Sequence, residues 1–254
     1  MEHTTPGHPC WLELVTPDRD RTAAFYSGLF GWTTTEPVPE LGGYSQLQLE
    51  GRPLGGLMPE VPGMTGAPGW TVYLATRDAE ALARRAEEAG GSVVVAPMAL
   101  PDLGTMVVVA DASGMEHGGW QAGPFAGLDS QERPGDPIWF EAYSRDFTAT
   151  HDFLRDVFDW TPHLTGDTDE FRYATSDVPE TAKAGLMDAS GWGEDFAPGW
   201  ASYIKVSDMD AALTRVAELG GSVTQGPDDT PFGLLAEVAD PTGQRVKIMV
   251  PPAG

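Results

Sequence analysis

The sequence predicts an α+β protein in which four βαβββ modules form two tandem domains with curved mixed sheets and outer helices. First, a short apolar strand, a hydroxylic residue, an Asp and a helix follow one another four times along the chain. The four strands lie at 11–15, 71–75, 139–143 and 203–206. Second, Trp11 and Glu13 recur as Trp139 and Glu141, each 128 positions later. Internal repeats of this kind decide an architecture before any single element does.

The repeat divides the chain of 254 residues near its middle. We expect a first domain at 1–122, a linker at 123–137 and a second domain at 138–254. The linker is rich in Gly, Pro and charged residues and separates two strand patterns, which is typical of a domain boundary. Each domain is then long enough to bury a core of its own.

The composition narrows the classes of partner. The formal net charge is -23 at pH 7, which argues against nucleic acid and against an anionic membrane, because both require basic surface. No stretch approaches the roughly 20 apolar residues that span a bilayer. The single Cys10 cannot form an internal disulfide, so we expect a cytoplasmic protein. A monomer and a homodimer both fit the sequence.

Side-chain alternation gives the first strand two different faces. Leu12 and Leu14 point to one face, where the apolar stripe of the next helix can cover them. Trp11 and Glu13 therefore point the other way. The helix begins after Asp18, because an Asp side chain can accept hydrogen bonds from the first helical amides.

The other modules follow the same rules. Helices are expected at 79–89 and 209–219, each ended by a Gly-Gly pair that tolerates positive φ. Turns at 111–114 and 240–243 join the later strands in pairs. The sheet face opposite the helices is too polar for a core and too aromatic for plain solvent exposure. It therefore predicts a ligand cleft in each domain.

The two predicted clefts differ in chemistry. The first is lined by Trp11, Glu13, Tyr73, Glu116 and Trp120, with Gln46 and Gln48 if their strand turns them inward. Aromatic rings and acceptors together suit a planar or cationic organic ligand; alternatively, Trp11 and Tyr73 fill the core. The second is lined by Trp139, Glu141, Tyr143, Tyr203, Lys205, Arg245 and Lys247. Its three cations indicate either an anionic or carbonyl-bearing ligand or a salt-bridge network that closes the cleft.

Two long loops rich in Gly and Pro, at 59–68 and 188–198, are expected to rim the clefts. The Trp residues within or after them are candidate lid residues: Trp70, Trp192 and Trp200. Trp32 and Trp160 instead follow the first helix of each half, where we expect them to be core residues.

These motifs resemble the vicinal oxygen chelate superfamily, which includes glyoxalase I, extradiol dioxygenases, fosfomycin-resistance enzymes and bleomycin-resistance proteins. The resemblance rests on the paired βαβββ modules, on Phe-Tyr-x3-Phe-Gly-Trp at 25–32, on Gly-Gly-Ser-Val at 220–223 and on Asp-Pro-Thr-Gly at 240–243. It covers nearly the whole chain and implies two tandem glyoxalase-like domains, similar to those of actinobacterial glyoxalase/hydroxylase-like proteins. Because this fold carries lyases, isomerases, oxygenases and binding proteins, it does not by itself name an activity.

The resemblance implies that an enzyme of this kind holds a divalent metal through His, Gln or Glu on the first and last strands of its modules. The corresponding positions here are Trp11, Thr71, Trp139, Ala201, Gly118 and Lys247. None of these is a usual metal ligand, so we expect no metal site and no cofactor. Shifted ligands such as Glu13, Glu116 or Glu141 leave a divalent metal open. His117 adjoins Glu116, but alternation points His117 toward the helices.

Two functional hypotheses follow. The first is a protein that binds an aromatic natural product or metabolite, with resistance by sequestration if that ligand is an antibiotic. The second is an enzyme. Its metal-free form, an isomerase or lyase, would use Glu13 or Glu141 as the general base, with Lys205, Arg245 or Lys247 stabilising an oxyanion. Its metal-dependent form would be a lyase or dioxygenase with shifted ligands.

Overall fold

The computed structural model describes residues 5–61, 69–168, 171–194 and 196–252. The first module contains β1 (Pro9–Thr16), α1 (Arg19–Phe30), β2 (Thr33–Thr34), β3 (Ser45–Leu49) and β4 (Arg52–Pro59). The second contains β5 (Gly69–Ala75), α2 (Ala79–Glu88), β6 (Ser92–Leu100), β7 (Gly104–Ala110) and β8 (Glu116–Ala122). The third contains β9 (Pro137–Ser144), α3 (Phe147–Phe158), β10 (His163–Asp167), β11 (Arg172–Thr175) and β12 (Ala184–Asp188). The fourth contains β13 (Gly199–Lys205), α4 (Met209–Glu218), β14 (Ser222–Thr230), β15 (Gly233–Ala239) and β16 (Arg245–Val250).

The strands form two eight-stranded sheets of the same topology. Their orders are β2-β3-β4-β1-β5-β8-β7-β6 and β10-β11-β12-β9-β13-β16-β15-β14. β1 runs parallel to β4 and β5 parallel to β8, while the outer pairs are antiparallel. Four βαβββ modules, mixed sheets and the α+β class are therefore confirmed.

Each helix begins at the Asp that the sequence pattern indicates. Asp18, Asp78, Asp146 and Asp208 are the N-caps, and each carboxylate accepts a hydrogen bond from the backbone amide three residues later. This bond satisfies one of the amides that have no partner inside the helix. α2 and α4 are followed by Gly90 and Gly220 at φ of 80° and 79°, as the Gly-Gly pairs predict. Among the described residues, none of the helices has the length and apolar character needed to cross a membrane.

Contacts group the chain into two compact units, and each unit combines modules from both halves. One unit comprises the described parts of 1–11, 71–127 and 140–200. The other comprises the described parts of 12–70, 128–139 and 201–254. The expected boundaries at 122 and 138 follow the sequence repeat and stay a prediction.

The core of the second unit shows what joins the modules. Leu14 and Phe25 of the first module pack in one cluster with Ile204, Val216 and Ile248 of the fourth. All five side chains are almost completely buried. The apolar face predicted for the first strand therefore does lie against helices, and burial of these side chains supplies the main driving force for joining the modules.

A buried chain of hydroxyl groups and one carboxylate reinforces this contact. The Thr22 hydroxyl on α1 donates to the Asp240 carboxylate at 3.0 Å and lies 2.8 Å from the Thr16 hydroxyl on β1. Asp240 belongs to the turn between β15 and β16, where its other oxygen accepts the backbone amides of Thr242 and Gln244. The carboxylate thus orders its own turn and fixes that turn to the first module.

The first unit repeats the arrangement with other residues. The Thr150 hydroxyl on α3 donates to Asp111 at 2.5 Å and lies 2.7 Å from the Ser144 hydroxyl. Burial alone would raise the pKa of Asp111, but hydrogen bonds from His117, Ser113 and Thr150 outweigh it and hold the pKa well below its usual range. Asp111 is therefore an ionised carboxylate inside the unit.

Two Trp residues each donate a hydrogen bond to a backbone carbonyl group of the other part of the repeat. The Trp32 indole donates to the Gly135 carbonyl at 2.7 Å, and the Trp160 indole donates to the Gly7 carbonyl at 2.8 Å. Both residues are buried, as expected for core residues. Gly7 and Gly135 have φ of 81° and 89°, a region that disfavours side chains. A Cβ on Gly7 would also lie 2.5 Å from the carbonyl oxygen of Phe158.

Replacement of Asp240 by Ala should lower the free energy of unfolding by about 2–4 kcal/mol, because it leaves the Thr22 hydroxyl and two turn amides without their acceptor. Urea denaturation followed by Trp fluorescence measures this change. Asp20→Ala is the control, since the Asp20 side chain is 91% exposed and should change stability by less than about 0.5 kcal/mol. Equal effects of the two substitutions would contradict the role given to Asp240.

The low pKa of Asp111 predicts that the stability of the fold depends on pH. A carboxyl whose pKa is lower in the folded state than in the unfolded state stabilises the fold above about pH 4, and this contribution disappears as the pH falls. Asp111→Asn should therefore be less stable than wild type at pH 6, and the difference should shrink by pH 3. Urea midpoints at pH 6, 4 and 3 test this. A difference that stays constant across this range would count against the ionised carboxylate.

Candidate functional site

The second half of the chain carries a compact aromatic and acidic site in the first unit. Glu141 and Tyr143 occupy alternate positions on β9, so their side chains share one face of the strand. The Tyr143 hydroxyl donates to the Glu141 carboxylate. Both residues are buried, at 6% and 5% exposure. Two residues that the sequence predicted for one cleft are thus in direct contact.

Two further rings cover Tyr143 from the segment between β12 and β13. The ring centroid of Trp192 lies 5.4 Å from that of Tyr143, and that of Phe196 lies 5.6 Å from it. Trp192 and Phe196 meet edge to face at 4.6 Å, a favourable geometry for aromatic rings. Trp192 keeps 39% of its surface exposed. We call Glu141, Tyr143, Trp192 and Phe196 the second-half cluster.

Arg145 holds the segment that carries these rings. Its guanidinium donates to the carbonyl oxygens of Trp192, Gly193 and Phe196 at 3.1, 2.7 and 2.8 Å. The planar fork of donors on Arg suits several acceptors at once. The equivalent position in the first half, 128 residues earlier, is Pro17, which has no side-chain donor. Sequence reasoning missed Arg145 and Phe196, because their contacts depend on how the segment folds back.

The first half has a different aromatic group, which we call the first-half cluster: Trp11, Trp120 and Phe125. The Phe125 ring lies 5.0 Å from Trp11 and 6.2 Å from Trp120, edge to face in both cases. The Trp120 indole also donates to the Phe125 carbonyl at 3.3 Å. Phe125 comes from the segment after β8, and no sequence pattern predicted its place in this cluster. Trp11 and Trp120 are buried beneath this ring.

The other predicted residues of the first cleft are spread over both units. Tyr73 is buried, and its ring lies over Gly118, where a Cβ would come within 2.6 Å of it. Glu116 is exposed at the start of β8. In the second unit Glu13 is half-buried and pairs with Gly56 of β4.

Gln46 and Gln48 also lie in the second unit, two residues apart on β3. The Gln48 amide donates to the side-chain oxygen of Gln46 at 2.6 Å. Their side chains therefore share one face of β3. The prediction that both line a cleft requires such an arrangement.

The cations predicted for the second cleft have partners within the second unit. Arg245 and Lys247 on β16 lie 3.4 and 4.0 Å from the Glu237 carboxylate on the adjacent β15. The Lys247 ammonium also lies 5.7 Å from the centroid of the Tyr203 ring. These contacts match the salt-bridge alternative, and sequence reasoning missed Glu237 because only the strand register brings it opposite Lys247.

Lys205 and Trp139 lie elsewhere in that unit. The Lys205 ammonium donates to the Glu132 carbonyl at 2.8 Å. Lys205 also borders a cavity of about 290 Å³ beside Phe30, Gly135 and Arg215. Trp139 is half-buried on β9.

His117 points toward the helices, as alternation predicts, and is fully buried in the first unit. Its Nδ1 accepts from the Trp200 indole at 3.1 Å, and its Nε2 lies 3.5 Å from the Asp111 carboxylate. Because an indole N–H can only donate, the ring proton of His117 sits on Nε2. The imidazole also stacks on Phe153 at 5.4 Å. It is a core residue.

One of the three candidate lid residues, Trp200, is a core residue as well, so that expectation was wrong for it. Trp200 is buried against His117 and Trp160. Trp70 is half-buried and packs edge-on against Tyr26 at 5.7 Å, so its assignment as a lid residue stays a prediction. Both stand at the start of a strand on its helix-facing side, where alternation decides their burial. Part of the loop at 59–68 lies outside the described residues.

The divalent ion that the resemblance implies does not fit the side chains at the corresponding positions, since Trp, Thr, Ala, Gly and Lys offer no set of ligands. Within the described ranges, no group of three or more His, Cys, Asp and Glu residues is arranged to hold a metal ion. The groups that the site offers for chemistry are its carboxylates, phenols and indoles.

Comparison with known proteins gives relatives along the whole chain. The anthracycline biosynthesis protein DauV of Streptomyces sp. (strain C5) is 37% identical over 261 residues, covering 96% of this chain and 93% of that protein. The anthracycline biosynthesis protein DnrV of Streptomyces peucetius is 36% identical over 260 residues, covering 96% and 93%.

The fold is also found in solved structures. The Mn(II)-bound glyoxalase of Novosphingobium aromaticivorans superposes with a TM-score of 0.67 at 16% identity, covering 96% of this chain and 82% of that one. At this identity the likeness concerns the fold. The model of one family matches residues 5–116 and again 138–248. The chain therefore belongs to the Glyoxalase/Bleomycin resistance protein/Dioxygenase superfamily.

Proposed function

We propose that this protein binds an aromatic small molecule, and that the second-half cluster is a binding site for it. The observation that carries the proposal is the position of Trp192. One part of its ring packs on Tyr143 and Phe196, while 39% of its surface stays open. An indole held in this way offers a ready stacking surface, because its orientation is already fixed before a ligand arrives.

The relatives indicate which aromatic compound to expect. DauV and DnrV are named for anthracycline biosynthesis, and an anthracycline is a polycyclic hydroxyquinone. Such a ligand is planar and can stack on an indole. Its hydroxyl groups can donate hydrogen bonds to a carboxylate. We infer that the ligand here is a polycyclic aromatic compound of this chemical class.

Retention of such a compound would lower its free concentration in the cytoplasm. The extent follows from mass action, since bound ligand accumulates whenever the protein concentration exceeds the dissociation constant. Sequestration of this kind is a form of self-protection if the compound is toxic. It requires no turnover and no cofactor.

We expect wild-type protein to bind 1,4-dihydroxyanthraquinone, with quenching of its Trp fluorescence. Trp192→Ala should weaken the binding at this site about tenfold, since one aromatic stacking contact contributes roughly 1 kcal/mol beyond area burial. Trp192→Phe should restore most of the affinity. Fluorescence titration and isothermal calorimetry measure both.

Phe232→Ala is the matched control, because Phe232 is a 68% exposed ring on the β14–β15 turn and should leave affinity unchanged. Absence of binding by wild type up to the solubility of the probe would overturn the proposed function. Wild-type binding that Trp192→Ala does not weaken would move the site away from the second-half cluster.

A second candidate function is acid–base catalysis without a metal, and the contact between Glu141 and Tyr143 favours it. A buried carboxylate beside a phenol can remove a proton from a carbon next to a carbonyl, while the phenol supports the developing oxyanion. The bond that breaks is C–H, its electron pair passes to the carbonyl oxygen as an enolate, and the proton moves to Glu141. Return of the proton to another carbon completes an isomerisation.

Glu141→Gln separates this candidate from simple binding. The variant should keep probe affinity within about threefold but lose a factor of 100 or more in deuterium uptake beside the carbonyl of an acyl-substituted hydroxyanthraquinone, because a general base contributes about 10²–10⁴ in rate. Proton NMR in D₂O measures the uptake, with Glu13→Gln as the first-half comparison. Uptake that is the same with wild type, variant and buffer alone would rule out the acid–base role.

A further inference from the structure

A glycine on the fourth strand of each half is flanked by polar residues on both neighbouring strands. Gly56 on β4 pairs with Glu13 on one side and with Gln46 on the other. Paired residues of adjacent strands point to the same sheet face. Gly56 therefore lies in the middle of a polar row on that face.

The second half repeats this row in the first unit. Gly185 on β12 pairs with Glu141 on one side and with Thr175 on the other. Glu13 and Glu141 are equivalent in the repeat, and so are Gly56 and Gly185. Each half thus places one carboxylate beside one glycine at the same point of its sheet.

A tyrosine lies over each of these glycines and needs the space that a side chain would take. A Cβ on Gly56 would lie 2.6 Å from the hydroxyl oxygen of Tyr44, and a Cβ on Gly185 would lie 2.0 Å from that of Tyr173. Neither glycine is among the residues with positive φ. Space for the tyrosine, and not backbone conformation, is therefore what requires glycine here.

The two tyrosines are themselves equivalent positions of the repeat. Tyr44 and Tyr173 are 129 residues apart, as are Gly56 and Gly185. Both side chains are half-buried, so their rings are held while part of each remains accessible. Adjacent strands are about 4.8 Å apart, so the backbone of the neighbouring Glu lies one strand spacing from the glycine beneath each hydroxyl.

We propose that Tyr44 and Tyr173 contact ligand in two equivalent sites, one in each half, where phenol and carboxylate together bind an oxygen-bearing edge of an aromatic compound. The inference rests on the proposed function and extends it to a second site and to a ligand edge. The phenol donates a hydrogen bond to a carbonyl group of the ligand, and the carboxylate accepts a hydrogen bond from a hydroxyl group of the ligand. An aromatic carboxylate would be repelled, so the sites select hydroxyl- and carbonyl-bearing ligands.

A purely structural role would have a different signature. If the tyrosines only filled the space above the glycines, their replacement would change stability and would affect all aromatic ligands alike. A ligand-contacting hydroxyl instead changes affinity only for ligands that carry oxygen. Comparison of 1,4-dihydroxyanthraquinone with anthracene, which has the same three rings without oxygen, distinguishes the two roles.

The test is isothermal calorimetry of the full chain with 1,4-dihydroxyanthraquinone. Wild type should bind two equivalents. Gly185→Ala and Gly56→Ala should each bind one, because the added Cβ displaces the tyrosine of that half. The control is Gly69→Ala, where a Cβ would meet its nearest atom at 4.0 Å and two equivalents should remain.

Tyr44→Phe and Tyr173→Phe guard against misfolding of the glycine variants. Each removes one hydroxyl and should weaken 1,4-dihydroxyanthraquinone at its own site about five- to tenfold, the effect of one hydrogen bond, with anthracene unaffected. Urea midpoints and circular dichroism verify the fold.

The outcomes separate this inference from the proposed function. Wild type that binds no probe overturns both. If wild type and both glycine variants each bind two equivalents of the probe, the inference alone is overturned. It is also overturned if wild type binds one equivalent. Equal loss of both probes in the Tyr→Phe variants overturns the role of the hydroxyls.

Discussion

The fold depends on two buried carboxylates that each connect modules from opposite halves of the chain. Asp240 holds its own turn through backbone amides and receives the Thr22 hydroxyl from α1. Asp111 does the same with Thr150 from α3. A buried carboxylate is tolerated only where hydrogen bonds replace its hydration. The donors come from two modules, so neither module can satisfy its Asp alone.

This constraint limits where the proposed binding site can lie. One face of each sheet packs in the contact between modules, where the strand residues Leu14 and Ile248 are buried with Phe25 of α1. Strand residues on the alternate positions point to the opposite face of the sheet. Glu141 and Tyr143 occupy such positions, and Arg145 then fixes the rings that cover them. The proposed site thus combines strand alternation with a loop whose carbonyl groups Arg145 binds.

Much of this could be predicted from the sequence, because the signals are local. Spacing within a few residues predicts the Asp caps, the glycines that end α2 and α4, and the two faces of the first strand. It also predicts that His117 points toward the helices. Arg145, Phe125 and Glu237 were missed because their partners are set by loop folding or strand register. Tyr44 and Tyr173 did carry a signal, since they recur with the same spacing as Gly56 and Gly185.

The reciprocal Trp contacts bear on how such a chain arises. Trp32 of the first half reaches Gly135 of the second, and Trp160 of the second reaches Gly7 of the first. An ancestral polypeptide of half this length would make both contacts against a second copy of itself, as a two-fold symmetric pair. Gene fusion would convert those intermolecular bonds into intramolecular ones. Once fused, each copy could mutate independently, which is consistent with an Arg at position 145 and a Pro at the equivalent position 17.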